Sequence, residues 1–160
     1  MFVHLRLHSE FSVVDGTIRL DEVVEAAAAD GQPALGLTDL SNLFGAIKFY
    51  KAARGAGVKP VLGAEVFVHG LGPDMAPGAS VQQQSLPRML LLVQSHQGYL
   101  NLCELLSRAW TRNMLRDQAA IKWEWLQELS EGLILLSGAH SGPVGLALLA
   151  GDEARADELA

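Results

Sequence analysis

A single cysteine, Cys103, leaves no route to an intramolecular disulfide and suits a reducing compartment. Long apolar runs are missing too. The longest candidate, Met89 to Val93, falls far short of the roughly 20 residues that cross a bilayer, so no membrane is expected as a partner. Basic residues are outnumbered: 12 Lys and Arg against 18 Asp and Glu give a net charge of −6 and no general attraction for nucleic acid or anionic lipid. The apolar start is interrupted by His4, Arg6 and His8, which excludes a signal peptide of the usual form. A cytoplasmic protein is expected. What is there, 160 residues with 49% hydrophobic content, suffices for a domain with a sizeable core.

Strand and helix signals alternate along the chain. FVHLRLH at 2–8 alternates apolar and polar residues and predicts a first strand that projects His4, Arg6 and His8 in one direction. A helix follows from Gly16 or Thr17, closed by Gly31 with Pro33 beyond. PALGLT is a short buried strand, and Ser41 or Asn42 is placed to cap a helix running to about Arg54. VKPVLGAEVFV is a third strand. Residues 70–87, rich in Gly, Pro and Ser, predict a loop, then MLLLV a fourth strand and Gln97 to Arg112 a long helix. A helix near Trp123 to Leu129, a fifth strand in GLILLSG and a helical tail complete the pattern, which stops in mid-cycle. Such alternation predicts an α/β fold with a mainly parallel sheet, open or closed into a barrel, whose active residues gather at the C-terminal strand ends.

Polar residues collect at those ends: His8, Glu10 and Asp15, then Thr38 and Asp39, Glu65, and Ser137 and His140. A convergent His, Asp and Glu set is the raw material of a divalent-ion site that activates water, although carboxylates at strand ends also cap helices. Glu65, between Ala64 and Val66, needs a cation or a metal if it is buried. Asp39 in TDLSN is expected to accept amides of the following turn. Tyr99, Trp110, Trp123 and Trp125 fit core packing, Cys103 a buried inert thiol, and Ser137 lacks a nucleophile elbow.

FVHLRLHSEFSVVDG, ALGLTDLSNLFGAIKFYKAARGAGVKPVLGAEVFV, LLLVQSHQGYLNL and EGLILLSG together resemble the PHP (polymerase and histidinol phosphatase) domains that begin bacterial DNA polymerase III alpha subunits. The resemblance implies a distorted, TIM-like β/α barrel of the PHP type, incomplete in this chain, over residues 1–160, with polymerase domains lying outside it. Active members are phosphoesterases that hold several metals at the strand ends. Their ligand positions fall here on Arg6, His8, Asp15, Leu40, Glu65, Arg88 and Ala139. His8, Asp15 and Glu65 keep the family's residue types; Arg6, Leu40 and Arg88 stand where it has histidine, and Ala139 where it has cysteine.

An ion needs at least three ligands in fixed geometry. A guanidinium is always protonated and cannot be one; at about 4 Å from a divalent ion it opposes binding by roughly 8 kcal/mol at an effective dielectric near 20. The expectation is therefore no metal and no catalytic residue in this chain, with Arg6 replacing the metal through a salt bridge to Glu65 or Asp15. The resemblance implies a scaffold for the remaining domains of the polymerase alpha subunit, a docking surface for the proofreading exonuclease subunit, and contact with primer-template DNA through the parent protein. That parent would be a nucleotidyltransferase using Mg. The alternative is an active phosphoesterase or built-in exonuclease using Zn or Mn.

Overall fold

A computed structural model of the chain describes residues 2–71 and 86–160. Six strands form one sheet: β1 Ala34–Leu37, β2 Lys59–His69, β3 Arg88–Val93, β4 Met114–Leu115, β5 Gln118–Lys122 and β6 Leu133–Leu136. The helices are α1 Leu20–Ala29, α2 Ala46–Gly55, α3 His96–Arg112, α4 Trp123–Glu128, α5 Pro143–Leu149 and α6 Glu153–Leu159. β2 is the hub. It pairs in parallel with β1 at its start and with β5 at its end, and antiparallel with β3 along the other edge; β6 then lies antiparallel to β3.

The sheet is thus mixed and mostly antiparallel, not mainly parallel, and it stays open among the described residues. The reason lies in the connections. A parallel neighbour needs a crossover, usually helical, as α2 supplies between β1 and β2. β4 and β5 are joined by a two-residue turn and pair antiparallel. The β2 to β3 connection falls in the expected 70–87 loop, most of which lies outside the described residues.

The first strand does not form as a ladder. Residues 2–9 run extended beside β1, bonded where Gly36 N–H donates to His4 O (2.7 Å) and Thr38 N–H to Leu7 O (2.9 Å). A Cβ on Gly36 would sit 2.8 Å from the Leu5 carbonyl oxygen, so the segment rides across the β1 backbone instead of pairing with it. The His4 ring lies edge-on to Phe2 at 4.7 Å.

The helices bury two of the hydrophobic clusters. Leu20 and Val24 of α1 pack with Phe49 of α2 and with Leu35 and Leu37 of β1. In the other, Leu102 and Leu105 of α3 and Leu126 of α4 close over Val66, Val68, Leu91 and Ile121. Each fully buried aliphatic or aromatic side chain contributes about 1.5–3 kcal/mol. Two features had little signal in the sequence. The β4–β5 turn puts both Arg116 (φ 49) and Asp117 (φ 64) in the left-handed region, a turn usually marked by Asn-Gly or Asp-Gly. α5 begins at Pro143, where the missing N–H costs nothing because a first-turn amide has no helical partner.

Candidate functional site

Glu65 stands in mid-β2, opposite Leu90 of β3 and bridged on its other edge to Leu40. It is 3% exposed. Facing it is the extended N-terminal segment, whose position is fixed by Asp39 and Thr38 at the end of β1. Asp39 accepts from Ser9 N–H (2.6 Å) and from the Ser9 hydroxyl (2.9 Å), and the Thr38 hydroxyl accepts from Leu7 N–H (2.9 Å). Asp39 was expected to serve the turn that follows it; it reaches backward instead because Ser9 presents two donors inside the protein, where an unpaired donor is costly. Asn42, not Asp39, supports the turn before α2, accepting from Phe44 N–H at 3.0 Å, and the helix begins at Ala46.

The chain then loops from Ser9 to Ile18 through a single 3₁₀ turn, Glu10–Ser12, closed by a bond from Glu10 N–H to Ile18 O (2.8 Å). The Ser12 hydroxyl donates to Asp15 (2.7 Å) and accepts from Leu40 N–H (3.0 Å). Ser9 and Ser12 were not among the candidates. Their spacing in SEFS, one serine before and one within a short turn, is the signal that marks them.

A line of alternating charges results. The Arg6 guanidinium donates to Glu65 at 2.9 and 3.2 Å. His8 Nε2 lies 2.5 Å from Glu65 Oε2, a close charge contact poorly aligned as a hydrogen bond, while His8 Nδ1 is 2.9 Å from Asp15. Arg88 reaches the other Asp15 oxygen at 3.5 Å, its guanidinium 4.9 Å above the Phe67 ring. Arg6 and Arg88 therefore each contact a carboxylate. Leu40 packs with Phe67 and Ala120, and Ala139 lines a hollow of about 390 Å³ with Arg6, Glu65, Ser137 and His140. Glu10 pairs with Lys48 outside the cluster.

Could these residues hold a metal? Arg6 contacts both Glu65 oxygens, and His8 Nδ1 is taken by Asp15. Among the described residues no group of three or more His, Cys, Asp or Glu side chains is placed to hold an ion. As placed, these donor atoms are committed to one another and to Arg6.

The titrating groups are tuned by this line of charges. Contact with Glu65 raises the His8 pKa above its ordinary value; burial opposes this and Asp15 adds to it. Burial pushes Glu65 up, but His8 and Arg6 outweigh it and leave its pKa low. Asp15 is likewise lowered, with burial overcome by the Ser12 hydroxyl and His8. Asp39 is raised, since burial exceeds the help of its Ser9 bonds.

The signs define a window. Glu65 and Asp15 add stability that is present above the ordinary carboxylate range, about 4, and lost as pH falls through their lowered folded values. His8 adds stability that is complete below about 6.5 and lost as pH rises through its raised folded value. Asp39, also raised, favours the acidic side. His8→Gln should therefore remove the decline in stability that sets in above about pH 6.5, read as denaturation midpoints on either side of that value. Parallel curves for parent and variant would contradict the assignment.

Burial also sets the worth of the Arg6 bridge. The side chain is 62% exposed against 4% for Glu65, so water screens much of the attraction. Arg6→Ala is expected to cost about 1–2 kcal/mol in denaturant melting, less than a fully buried pair would. An unchanged midpoint would count against the bridge.

The sequence pattern of the PHP domain matches residues 4–160. The chain belongs to the PHP domain family. Similar proteins include the DNA polymerase III subunit alpha of Pseudomonas aeruginosa, 43% identical over 158 residues, or 99% of this chain and 13% of the relative. The same subunit of Escherichia coli K12 is 43% identical over 157 residues, 98% of this chain and 13% of that protein. This PHP domain thus spans 13% of the length of those relatives, matching their N-terminal region. Among solved structures, an amidohydrolase from Chromobacterium violaceum aligns with 67% of this chain and 32% of its own, at a TM-score of 0.48 and 23% identity. Among the described residues, no helix is long and apolar enough to cross a membrane.

Proposed function

We propose that this PHP domain is the N-terminal module of a bacterial DNA polymerase III alpha subunit and that it acts by contact, without a metal of its own. The observation that carries the reading is the line Arg6, Glu65, His8, Asp15, Arg88, in which two guanidinium groups compensate carboxylates that otherwise need metal ions. In this reading the parent protein performs Mg-dependent DNA synthesis in the cytoplasm with residues of its other domains, and primer-template DNA is met through those domains. The barrel closes when later segments cover β6, whose Ile134, Leu135 and Leu136 are 38–44% exposed at the sheet edge. Apolar surface of that kind seeks cover. The remaining polymerase domains and the proofreading exonuclease subunit are the partners this reading names.

The test combines two assays. Purified protein should hydrolyse no phosphomonoester or single-stranded DNA with Zn, Mn or Mg, and should co-sediment with the exonuclease subunit. Metal-dependent turnover, or sedimentation that ignores the exonuclease, would contradict the reading.

A further inference from the structure

Away from the line of charges, apolar side chains gather where the loop at Val13 and Val14, the turn before α2, the β4–β5 turn and the end of α3 meet. Val13 and Val14 are 78% and 83% exposed, Phe44 70% and Trp110 49%. Together with the buried Phe67 they line a hollow of about 170 Å³, and Asp117 is part of its lining. Trp110 had been expected in the core. Its indole N–H donates to Ser41 O at 2.7 Å, which holds the ring at the rim, and Asn42 accepts from Phe44 N–H at 3.0 Å. Five non-glycine residues among those described have a positive φ, and three of them, Val13 (56), Ser41 (55) and Asp117 (64), line this one hollow. For a β-branched residue such as Val13 that is a true outlier, and strained backbone collects where a surface is held ready for a ligand.

Size and charge indicate what sits there. A cavity of about 150 Å³ lined by aliphatic and aromatic side chains accommodates a benzene ring, so this hollow has room for one large apolar side chain and not two. An adjoining hollow of about 500 Å³ shares Phe44 and Trp110 and extends the apolar surface. Asp117 is the one charged residue in the lining of either hollow, and it forms no ion pair among the described residues. Arg116, next to it in the chain, lines neither hollow and has a contact of its own. The exposed rings of Phe44 and Trp110 attract charge of the same sign as Asp117 does, since aromatic faces favour cations, and so does a chain of net charge −6.

We propose that this hollow captures one large apolar side chain from an exposed segment of a partner protein, and that a lysine or arginine next to that side chain meets Asp117. The apolar anchor supplies most of the affinity and the carboxylate selects its neighbour. Such capture is independent of the polymerase assignment, since it uses none of the residues in the line of charges.

The probe is a short capped peptide with one phenylalanine flanked by arginines; one control carries glutamates in place of the arginines, and another serine in place of the phenylalanine. Binding to the full 160-residue chain is read by the Trp110 indole N–H resonance, assigned from its loss in Trp110→Phe. The arginine peptide should bind and shift that resonance, and each control should bind at least about tenfold more weakly. Val14→Ser should weaken the arginine peptide about fivefold, and Asp117→Asn about threefold with a smaller salt dependence. Val14 is exposed and asparagine accepts a positive φ as readily as aspartate, so melting midpoints should be unchanged and loss of binding is not loss of fold. Equal binding of the arginine and glutamate peptides, no binding, or indifference to either substitution would overturn the proposal. So would a concentration-dependent shift of the Trp110 resonance in the peptide-free chain that Val14→Ser abolishes, which assigns the face to a second copy.

Discussion

Gly16→Ala should lower the melting temperature by roughly 6–12 °C, the equivalent of about 3 kcal/mol for a chain of this size. A Cβ at Gly16 would lie 1.7 Å from the Ser9 carbonyl oxygen, 2.7 Å from its carbon and 2.9 Å from Ser12 Cβ. Most of these atoms are backbone, and the Ser9 N–H and hydroxyl are both tied to the buried Asp39, so the neighbour cannot give way cheaply. Any shift breaks either the Ser9–Asp39 bonds or the Glu10–Ile18 closure. Overpacking alone costs about 1–3 kcal/mol, and a lost bond to a charged group about 1.5–3 more. Asp15 rides on this loop and His8 directly precedes it, so the charged site should loosen with it. Gly55→Ala is the control: nothing lies within 4 Å of its Cβ, and a small gain from helix propensity is expected. Equal midpoints for the Gly16 variant and the parent would mean that the loop is not held as described.

Glu65→Ala should cost more than any other single change in the charged line, about 3–5 kcal/mol, because it strands charges in a place built for their partner. Arg6 can turn to solvent. His8, whose side chain is 10% exposed, cannot, and it would fall back toward its neutral form, erasing the high-pH decline described above. Glu65→Gln keeps the shape and one acceptor, so its cost should be smaller while the pH profile flattens in the same way. A double-mutant cycle with Arg6→Ala separates the parts: the coupling should be about 1 kcal/mol, since Arg6 is mostly exposed, and the remainder belongs to His8 and burial. An unchanged midpoint for Glu65→Ala would show that the carboxylate is not the centre of the cluster.

Much of the fold was legible because β1, β2, β3 and α1 to α4 obey simple periodicities bounded by Gly and Pro. What escaped was relational. Nothing in FVHLRLH says that Gly36 lets the Leu5 peptide cross over β1, and the alternation is that of a strand although no ladder forms. Sheet direction was misjudged for a similar reason: it depends on what connects the strands, and the β4–β5 turn lacks glycine. At the site, Glu65 announced its need for a partner by being a carboxylate in an apolar strand, and the substituted arginines at 6 and 88 stood out against the family pattern. Asp39, Ser9 and Ser12 gave no such notice, because short polar side chains bond to whichever backbone the fold brings near. Trp110 was misread since helical spacing with leucines cannot distinguish a core tryptophan from one held at the rim by a single carbonyl.

Isothermal titration of the purified, chelator-treated protein with Zn and with Mn bears most directly on whether Arg6 and Arg88 have taken the place of the family's metals. A domain whose carboxylates are already compensated should give no stoichiometric binding heat and no rise in melting temperature at millimolar metal. Tight uptake of one or more equivalents, with a stabilisation of about 2.7 kcal/mol at a hundredfold excess over Kd, would contradict it and return the domain to the metal-dependent phosphoesterases.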